Sequence, residues 1–213
     1  MKLEDALLLA VIGLTFILGA LIYSQIPNAT IPAHWNEYGV VDGYAPSWFL
    51  LFIPLLTAGI YALFWVIPRI TTDKKSWKEF AKYYDQTRIG IILLLVYIFI
   101  LTLLPLQGVS FNMGYAIFPV IAVLFVYLGH IMPHFKQNYF IGIRTPWALD
   151  NKAVWDKTQR RGGKVFMLMG LGVFLAGMFP EYFFPLFMGA VFGGVIYVFA
   201  YSYFVWKKVK SKK

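Results

Sequence analysis

The sequence contains no cysteine and few charged residues: of its 213 residues, 14% are charged and 60% are hydrophobic. The absence of cysteine excludes disulfide bonds, thiolate metal sites and cysteine nucleophiles. The low charge, with a mean hydropathy of +0.66, lies well outside the range of soluble domains. The composition therefore predicts a membrane protein.

Long apolar runs account for this composition. Five runs approach the roughly 20 residues that cross a hydrocarbon core; they are 6–23, 48–67, 89–106, 113–132 and 183–206. A sixth run, 165–179, would reach only about 22 Å as a helix, so it would need Lys164 as a snorkelling end or a locally thinner bilayer. We therefore expect an all-α polytopic membrane bundle of six transmembrane helices with short interfacial and cytoplasmic helices.

The basic residues are concentrated in segments that six spans place on one side of the membrane. All 19 Lys and Arg are Lys2 or lie within 69–88, 136–164 and 207–213. The positive-inside rule then places both termini in the cytoplasm. We interpret the net charge of +9 as a signal that sets the orientation of the helices in the membrane, with contact to anionic lipid as a secondary effect. We expect no direct binding of nucleic acid. No small-residue cleavage site follows the first run, so we expect an uncleaved helix.

Three regions follow from this order. Residues 1–68 are expected to form a helical hairpin with a patterned extracellular loop at 26–47, and 89–213 a four-helix region with a cytoplasmic motif loop at 133–164. Between them, 69–88 is predicted to be an interfacial helix. Ser76 begins a capping-box pattern there, and Trp77, Phe80 and Tyr84 recur at helical spacing. These aromatic residues are expected at the acyl boundary.

The extracellular loop is interrupted at short intervals by Pro and Gly, which predicts an ordered set of turns. His34 and Glu37 have a spacing compatible with metal binding, but one imidazole and one carboxylate do not complete a coordination sphere. A compact cap with Trp35 and Tyr38 at the membrane interface is the plainer interpretation. An external cationic peptide would meet this acidic, aromatic loop first.

His130 and His134 form a second possible metal pair. Their i, i+4 spacing puts both imidazoles on one face of an unbroken helix, but Pro133 lies between them and can bend or end the helix. No third ligand is evident nearby, so two interfacial histidines are the plainer interpretation. We predict no metal site and no cofactor.

The motif loop is the most distinctive polar segment of the chain. Gly142 and Pro146 are expected to form turns around Arg144, whose planar fork suits a carboxylate, a phosphate or helix-end carbonyls. Asp150 is expected to cap a helix that breaks or bends at Gly162-Gly163. The alternative is structural: Arg144 and Asp156 pair with each other, while Trp147 and Trp155 anchor the loop at the interface.

Both patterned loops resemble known families. The stretch 31–36 (IPAHWN), with Gly39 and Asp42-Gly43, resembles the outer-loop signature of a widespread membrane domain of unknown function. The stretch 138–147 (NYFIGIRTPW), with Val154-Trp155 and Lys157-Thr158, is similar to the signature of the SdpI family. The resemblance covers nearly the whole chain. Two positions depart from the family pattern: Gln159 stands where a His is common, and His130 where an Asn is common.

The resemblance implies an immunity protein that protects a producing cell from a secreted killing peptide. It further implies signalling, in which a transcriptional repressor is held at the membrane when toxin is present. The cytoplasmic motif residues it marks are Asn138, Gly142, Arg144, Thr145, Pro146, Trp147, Trp155, Lys157 and Thr158. In the extracellular loop it marks His34, Trp35, Asn36, Gly39, Asp42 and Gly43, and we add Glu37 as a candidate contact for a membrane-active peptide.

The expected function is therefore immunity to, or sensing of, a membrane-active toxin peptide, with no catalytic residue. Gly189 and Gly193, at GxxxG spacing, are expected to permit close helix packing or homodimerisation. The partners would be the lipid bilayer, a toxin peptide outside and a repressor inside. The alternative is a membrane enzyme or transporter that uses His130, His134 and Arg144, although no common catalytic motif occurs.

Overall fold

The computed structural model of the chain describes residues 3–70 and 74–211. Lys2, Lys212, Lys213 and residues 71–73, which entered the sequence arguments, lie outside those ranges. The described elements are α1 (Leu3–Gln25), β1 (Thr30–Trp35), β2 (Val41–Pro46), α2 (Phe52–Ile70), α3 (Lys74–Leu103), α4 (Met113–Ile131), α5 (Pro146–Asp150), α6 (Lys152–Ala176) and α7 (Phe183–Lys210). The predicted all-α class is confirmed, and the antiparallel pair β1–β2 is an addition to it.

Within the described ranges, five stretches are long and apolar enough to cross a membrane: Leu3–Gln25, Ser47–Ile70, Trp77–Gln107, Met113–His134 and Phe183–Lys210. They coincide with the five long runs of the sequence. Their outward side chains, such as Leu14, Val123 and Phe192, are more than half exposed in the protein alone, as expected for surfaces that lipid covers. The sixth run lies in the second half of α6, and a crossing there stays a prediction.

The chain divides into two compact units. The first unit comprises Met1–Ile70 and Arg88–Ile117, and the second comprises Thr71–Thr87 and Phe118–Lys213. In the first unit, buried apolar residues of α1, α2 and α3 form a cluster. A further cluster there joins Ile31 of β1 to Phe99 and Leu103 of α3. The patterned loop at 26–47 is therefore packed against helix side chains of its own unit.

In the second unit, α4 and α6 approach closely at small residues. A Cβ added to Gly163 would lie 2.5 Å from the carbonyl oxygen of Gly129, and one added to Gly170 would lie 2.6 Å from that of Ala122. The helix α6 runs on through these glycines to Ala176, so the prediction that it breaks at Gly162-Gly163 is wrong. They serve helix packing instead of helix termination.

The GxxxG pair of α7 has no such contact. A Cβ added to Gly189 or Gly193 would meet no atom within 4 Å among the described residues, whereas Gly194 packs against Met169 of α6. The expected close packing through Gly189 and Gly193 is thus absent within the described chain. Homodimerisation through them stays a prediction.

The segment expected to form an interfacial helix is the first part of α3. Ser76 lies inside this helix and not at its N-cap, so the capping-box prediction is wrong. Phe80 and Tyr84 are each only 1% exposed, and Trp77 packs its ring against both of them and against Phe140. These aromatic residues therefore belong to the protein core of the second unit and not to the acyl boundary.

Candidate functional site

The patterned loop at 26–47 contains the antiparallel hairpin of β1 and β2, with the pairs Thr30↔Pro46 and Ile31↔Ala45 at its base. We call this loop the hairpin segment. The Asn36 side chain forms its turn, because its Oδ1 accepts from the N–H groups of Tyr38 and Val40, both at 3.0 Å. Gly43 faces His34 so closely that an added Cβ would lie 2.8 Å from the His34 Cβ. The expected ordered turns are thus one hairpin.

The turn of the hairpin segment docks on the start of α4. Asn112 Nδ2 donates to the carbonyl oxygen of Tyr38 at 2.6 Å, and the Met113 N–H donates to that of Gly39 at 3.2 Å. Gly39 has φ +73°, and an added Cβ would lie 2.8 Å from the Gly114 nitrogen. Sequence reasoning missed Asn112, although an Asn before an apolar helical run is a usual N-cap signal.

The exposed side chains of the hairpin segment are acidic and aromatic. His34 Nδ1 and Asp42 Oδ1 are 2.5 Å apart, with both side chains substantially exposed. Glu37 is exposed, and Tyr38 and Tyr44 are 60% and 68% exposed. Trp35 is half-buried. Among the described residues, no group of three or more His, Asp or Glu side chains is placed to hold a metal ion.

The motif loop spans 133–164, and α6 occupies its last part. In its irregular first part, Asn138 Oδ1 accepts from the N–H groups of Phe140 at 2.7 Å and Ile141 at 2.9 Å. Arg144 Nη1 donates to the carbonyl oxygen of Tyr139 at 2.6 Å. The suggested Arg144–Asp156 pair is wrong, because Asp156 instead accepts from Lys152 Nζ at 2.7 Å. Arg144 therefore closes its own loop, with its side chain exposed.

Gln159 joins the motif loop to α6. Its buried side-chain Nε2 donates to the Ile143 carbonyl at 2.9 Å, and its Oε1 accepts from the Ile143 N–H at 3.1 Å. Gly142 has φ +95°, and an added Cβ would lie 2.9 Å from Gln159 Oε1. The backbone N–H and C=O groups of one loop residue, Ile143, are thus both satisfied by the amide side chain of Gln159. Sequence reasoning noted Gln159 only as a departure from the family pattern and missed this role.

Thr145 and Pro146 begin the short helix α5. The Thr145 hydroxyl accepts from the Ala148 N–H at 3.2 Å and also bonds the Ser202 hydroxyl of α7. Pro146 occupies the first helical turn, where its missing N–H costs nothing. Trp147 packs against Phe199 and Tyr203 of α7, with ring centroids 4.9 and 5.2 Å apart. Thr145 and Trp147 therefore attach the loop to α7.

The first turns of α6 contain the remaining motif residues. Asn151 caps this helix, so the prediction of Asp150 as the cap is wrong; Asp150 instead accepts from the Trp206 indole at 2.9 Å. Trp155 is fully buried and its Nε1 donates to the Phe135 carbonyl at 2.7 Å, so it is a core residue and no interface anchor. Thr158 is also fully buried, and its hydroxyl has no partner among the described residues. Lys157 is exposed.

A polar cavity of about 550 Å³ lies beside the motif loop. His134 lines it, stacked on Tyr83 with ring centroids 4.5 Å apart. Lys136, which pairs with Glu79 at 3.1 Å, also lines it. Neither Arg144 nor His130 is among its lining residues. The three residues of the enzyme alternative are therefore not brought together in this cavity.

A buried ion pair lies in the first unit, between the start of α1 and α3. Arg88 Nη1 is 2.8 Å from Asp5 Oδ1, and the two side chains are 6% and 19% exposed. The Tyr61 hydroxyl donates to the same carboxylate oxygen at 3.5 Å. Sequence reasoning missed this pair because it counted both residues among the solvated charges at the ends of apolar runs.

The apolar helices and the two ordered polar segments define a multi-pass membrane protein with a patterned loop in each unit. Residues 134–205 match the SdpI/YfhL protein family, and residues 10–58 match a domain of unknown function, DUF1648. The first match contains the motif loop from His134 onward and most of α7; the second contains most of α1 and the hairpin segment. Both resemblances inferred from the sequence are thereby confirmed.

One relative is similar along its entire length. The chain is 24% identical over 212 residues to the immunity protein SdpI of Bacillus subtilis (strain 168). The similar region covers 99% of this chain and 99% of that protein. No solved structure matches the chain. The similarity includes both patterned loops and the helices between them.

Proposed function

We propose that this chain is a multi-pass membrane immunity protein that protects the cell from a membrane-active toxin peptide. The observation that carries the proposal is the similarity to an immunity protein over 99% of both chains. A likeness of that extent covers both the hairpin segment and the motif loop. Both termini lie in the cytoplasm in this proposal, because the basic residues flank the apolar runs on one side.

The hairpin segment is the proposed contact for the peptide. Its exposed Glu37, Tyr38 and Tyr44 combine negative charge with aromatic surface, which suits a cationic amphipathic peptide. The ladder of β1 and β2 and the docking of the turn on α4 hold this surface rigid. A preorganised surface loses less conformational entropy when it binds a partner.

The motif loop is the proposed reporting surface, and its partner is a transcriptional repressor. Arg144 and Asn138 hold the loop in one shape, while the Tyr139 side chain is 73% exposed and free to contact a protein. Since α3 and α4 each have residues in both units, a change at the hairpin segment has a covalent route to the second unit.

The first test is survival of a toxin-sensitive host that expresses the chain and is challenged with membrane-active peptides. We expect protection by the wild type and its loss in Trp35→Ala and in Arg144→Ala at equal expression. Arg160→Ala removes an equally exposed Arg from α6 and is the matched control, which should protect. If both Trp35→Ala and Arg144→Ala protect as well as the wild type, the proposal that the hairpin segment contacts the peptide and the motif loop reports it is wrong.

The signalling arm has a separate test. Tyr139→Ala leaves the backbone carbonyl that Arg144 binds, so it should keep protection but abolish the transcriptional response to peptide. RNA sequencing with and without peptide measures that response. An unchanged response in Tyr139→Ala would remove Tyr139 from the repressor contact.

The topology is tested by reporters fused after each apolar run. A reporter that is active only in the cytoplasm should fluoresce when fused after residue 164 and after Lys213. It should stay dark after residue 179. Fluorescence after residue 179 would show that α6 does not cross, and a crossing by α7 alone would then leave the reporter after Lys213 dark.

A membrane enzyme or transporter is the second candidate, and the polar cavity lined by His134 is the observation that favours it. Metal analysis of the purified chain is its test. Stoichiometric zinc that is lost in His134→Ala would favour the enzyme over immunity. Metal-free wild-type protein would give the enzyme no support.

A further inference from the structure

The second unit has a groove between α6 and α7 in which two lysines flank an apolar wall. Its volume is about 600 Å³, and its lining residues are Lys157, Tyr201, Phe204, Val205, Lys208 and Val209. The apolar members belong to one side of α7 near its basic end. Phe204 is 64% exposed, so the wall is open to whatever surrounds the protein.

The two lysines of this groove have no carboxylate partner among the residues that the structure describes. The other lysines of the same unit that lie beside a cavity behave differently: Lys136 pairs with Glu79 and Lys152 pairs with Asp156. The groove thus combines uncompensated positive charge with apolar surface. Positive charge beside an apolar wall attracts a ligand that is both anionic and apolar.

A third cation lies next to the groove. The Arg161 guanidinium is 5.1 Å from the ring centroid of Tyr201, which is a lining residue. Arg161 also comes from α6, one turn after Lys157. Three positive side chains therefore lie in or beside the groove, while Phe204 and the two valines form its apolar wall.

We propose that this groove binds an anionic phospholipid of the surrounding bilayer. The headgroup phosphate would lie between Lys157 and Lys208, and an acyl chain would cover Phe204 and Val205. Basic pockets between membrane helices recognise anionic headgroups in this way, and each basic side chain contributes to the preference. A free phosphate ion would satisfy the lysines but leave the apolar wall uncovered. The proposal is independent of the immunity function.

The test is lipid retention by the full-length chain, purified in a non-ionic detergent and measured by native mass spectrometry. Phosphatidylglycerol and phosphatidylcholine with the same acyl chains are titrated separately, and the retained lipid gives two apparent dissociation constants. We expect the wild type to prefer phosphatidylglycerol by roughly tenfold or more, given two or three basic contacts.

Two double variants separate the groove from general electrostatics. Lys157→Gln with Lys208→Gln should abolish most of the preference, while Lys136→Gln with Lys152→Gln removes the same charge from paired lysines and should preserve it. All four side chains are partly or well exposed, so both variants should elute and unfold like the wild type. Equal loss of preference in the two variants, or no preference in the wild type, overturns the proposal.

Competition with inorganic phosphate distinguishes a lipid site from a site for a free anion. Because the proposed site needs the acyl chain as well as the headgroup, an excess of phosphate should not displace phosphatidylglycerol. Phe204→Ala should weaken the binding of both lipids and keep their ratio. Displacement by phosphate alone would overturn the assignment to lipid in favour of a free-anion site.

Discussion

The hairpin segment and the motif loop are both polar, turn-rich stretches between apolar runs, yet they are ordered by different means. The hairpin segment is held by backbone pairing of β1 with β2 and by docking of its turn on α4. The motif loop has no strand, and side chains such as Asn138, Gln159 and Trp155 satisfy its backbone groups. Backbone pairing tolerates many side chains, whereas each side-chain bond of the motif loop depends on one residue type.

This difference predicts where substitutions cost stability. In the motif loop, removal of a bonding side chain leaves a backbone group without a partner. In the hairpin segment, we expect the sensitive positions to be those without space for a side chain. The four predictions below test that distinction through the free energy of unfolding in mixed micelles.

The largest effect is expected for Trp155→Ala. The substitution removes a fully buried ring and its bond to the Phe135 carbonyl, and such losses cost about 3–5 kcal/mol. Trp155→Phe keeps most of the packing and should cost only the hydrogen bond, about 1–2 kcal/mol. Trp35→Ala in the hairpin segment, where the ring is half-buried, should cost less than Trp155→Ala. Equal costs for the two tryptophans would contradict the comparison.

Gly39→Ala should be the most damaging small change in the hairpin segment. Gly39 combines φ +73° with the close approach of Asn112 and Gly114, so strain and overlap together should cost about 2–4 kcal/mol. Gly108 is the matched control, because it has φ +76° but no atom within 4 Å of an added Cβ. Gly108→Ala should therefore cost only the backbone strain, about 1–2 kcal/mol. If the two variants unfold alike, docking on α4 contributes nothing.

Gln159→Ala should destabilise the motif loop by about 2–3 kcal/mol. The backbone N–H and C=O groups of Ile143 both lose the buried side chain that they bond. The exposed Gln107 is the control, and Gln107→Ala should change stability by less than about 0.5 kcal/mol. Hydrogen exchange at Ile143 measures the same loss locally. Unchanged protection of that amide would rule out the clamp.

The smallest effects come from a pair of threonines. Thr145→Val removes the cap of α5 and the bond to Ser202 and should cost about 1–2 kcal/mol. Thr158→Val replaces a buried hydroxyl that has no partner among the described residues, so stability should stay within about 1 kcal/mol of the wild type or rise. A larger loss at Thr158 than at Thr145 would show that the Thr158 hydroxyl has a hydrogen-bond partner in the folded protein.

Much of the architecture follows from the sequence alone. Five apolar runs of spanning length predicted five of the helices, because burial of about 20 residues in lipid requires continuous apolar side chains and internal backbone bonding. The motif of 138–147 also identified the family resemblance. The helix α5, which begins at Pro146 with Thr145 as its N-cap, was not predicted, because Pro146 was expected only to form a turn beside Arg144.

Other features depended on contacts between residues far apart in the chain. Gly162-Gly163 suggests a helix end by local rules, but the close approach of α4 turns it into a packing surface. Phe80 and Tyr84 have the spacing of an interfacial helix, yet they are buried in the second unit. The partner of Arg144 could not be predicted either, because a guanidinium donates equally well to a carboxylate or to a carbonyl oxygen. Only the folded loop brings the Tyr139 carbonyl within reach of Arg144.

The sequence by itself determined the membrane class, the apolar spans and the two patterned segments, since these depend on composition and on local spacing. Only the tertiary structure decided that the hairpin segment pairs as two strands, that Gln159 clamps Ile143 and that Asp5 meets Arg88. The physical reason is that a polar side chain has several possible partners of similar strength. Which of them it bonds is set by the packing of helices that lie far apart in the sequence.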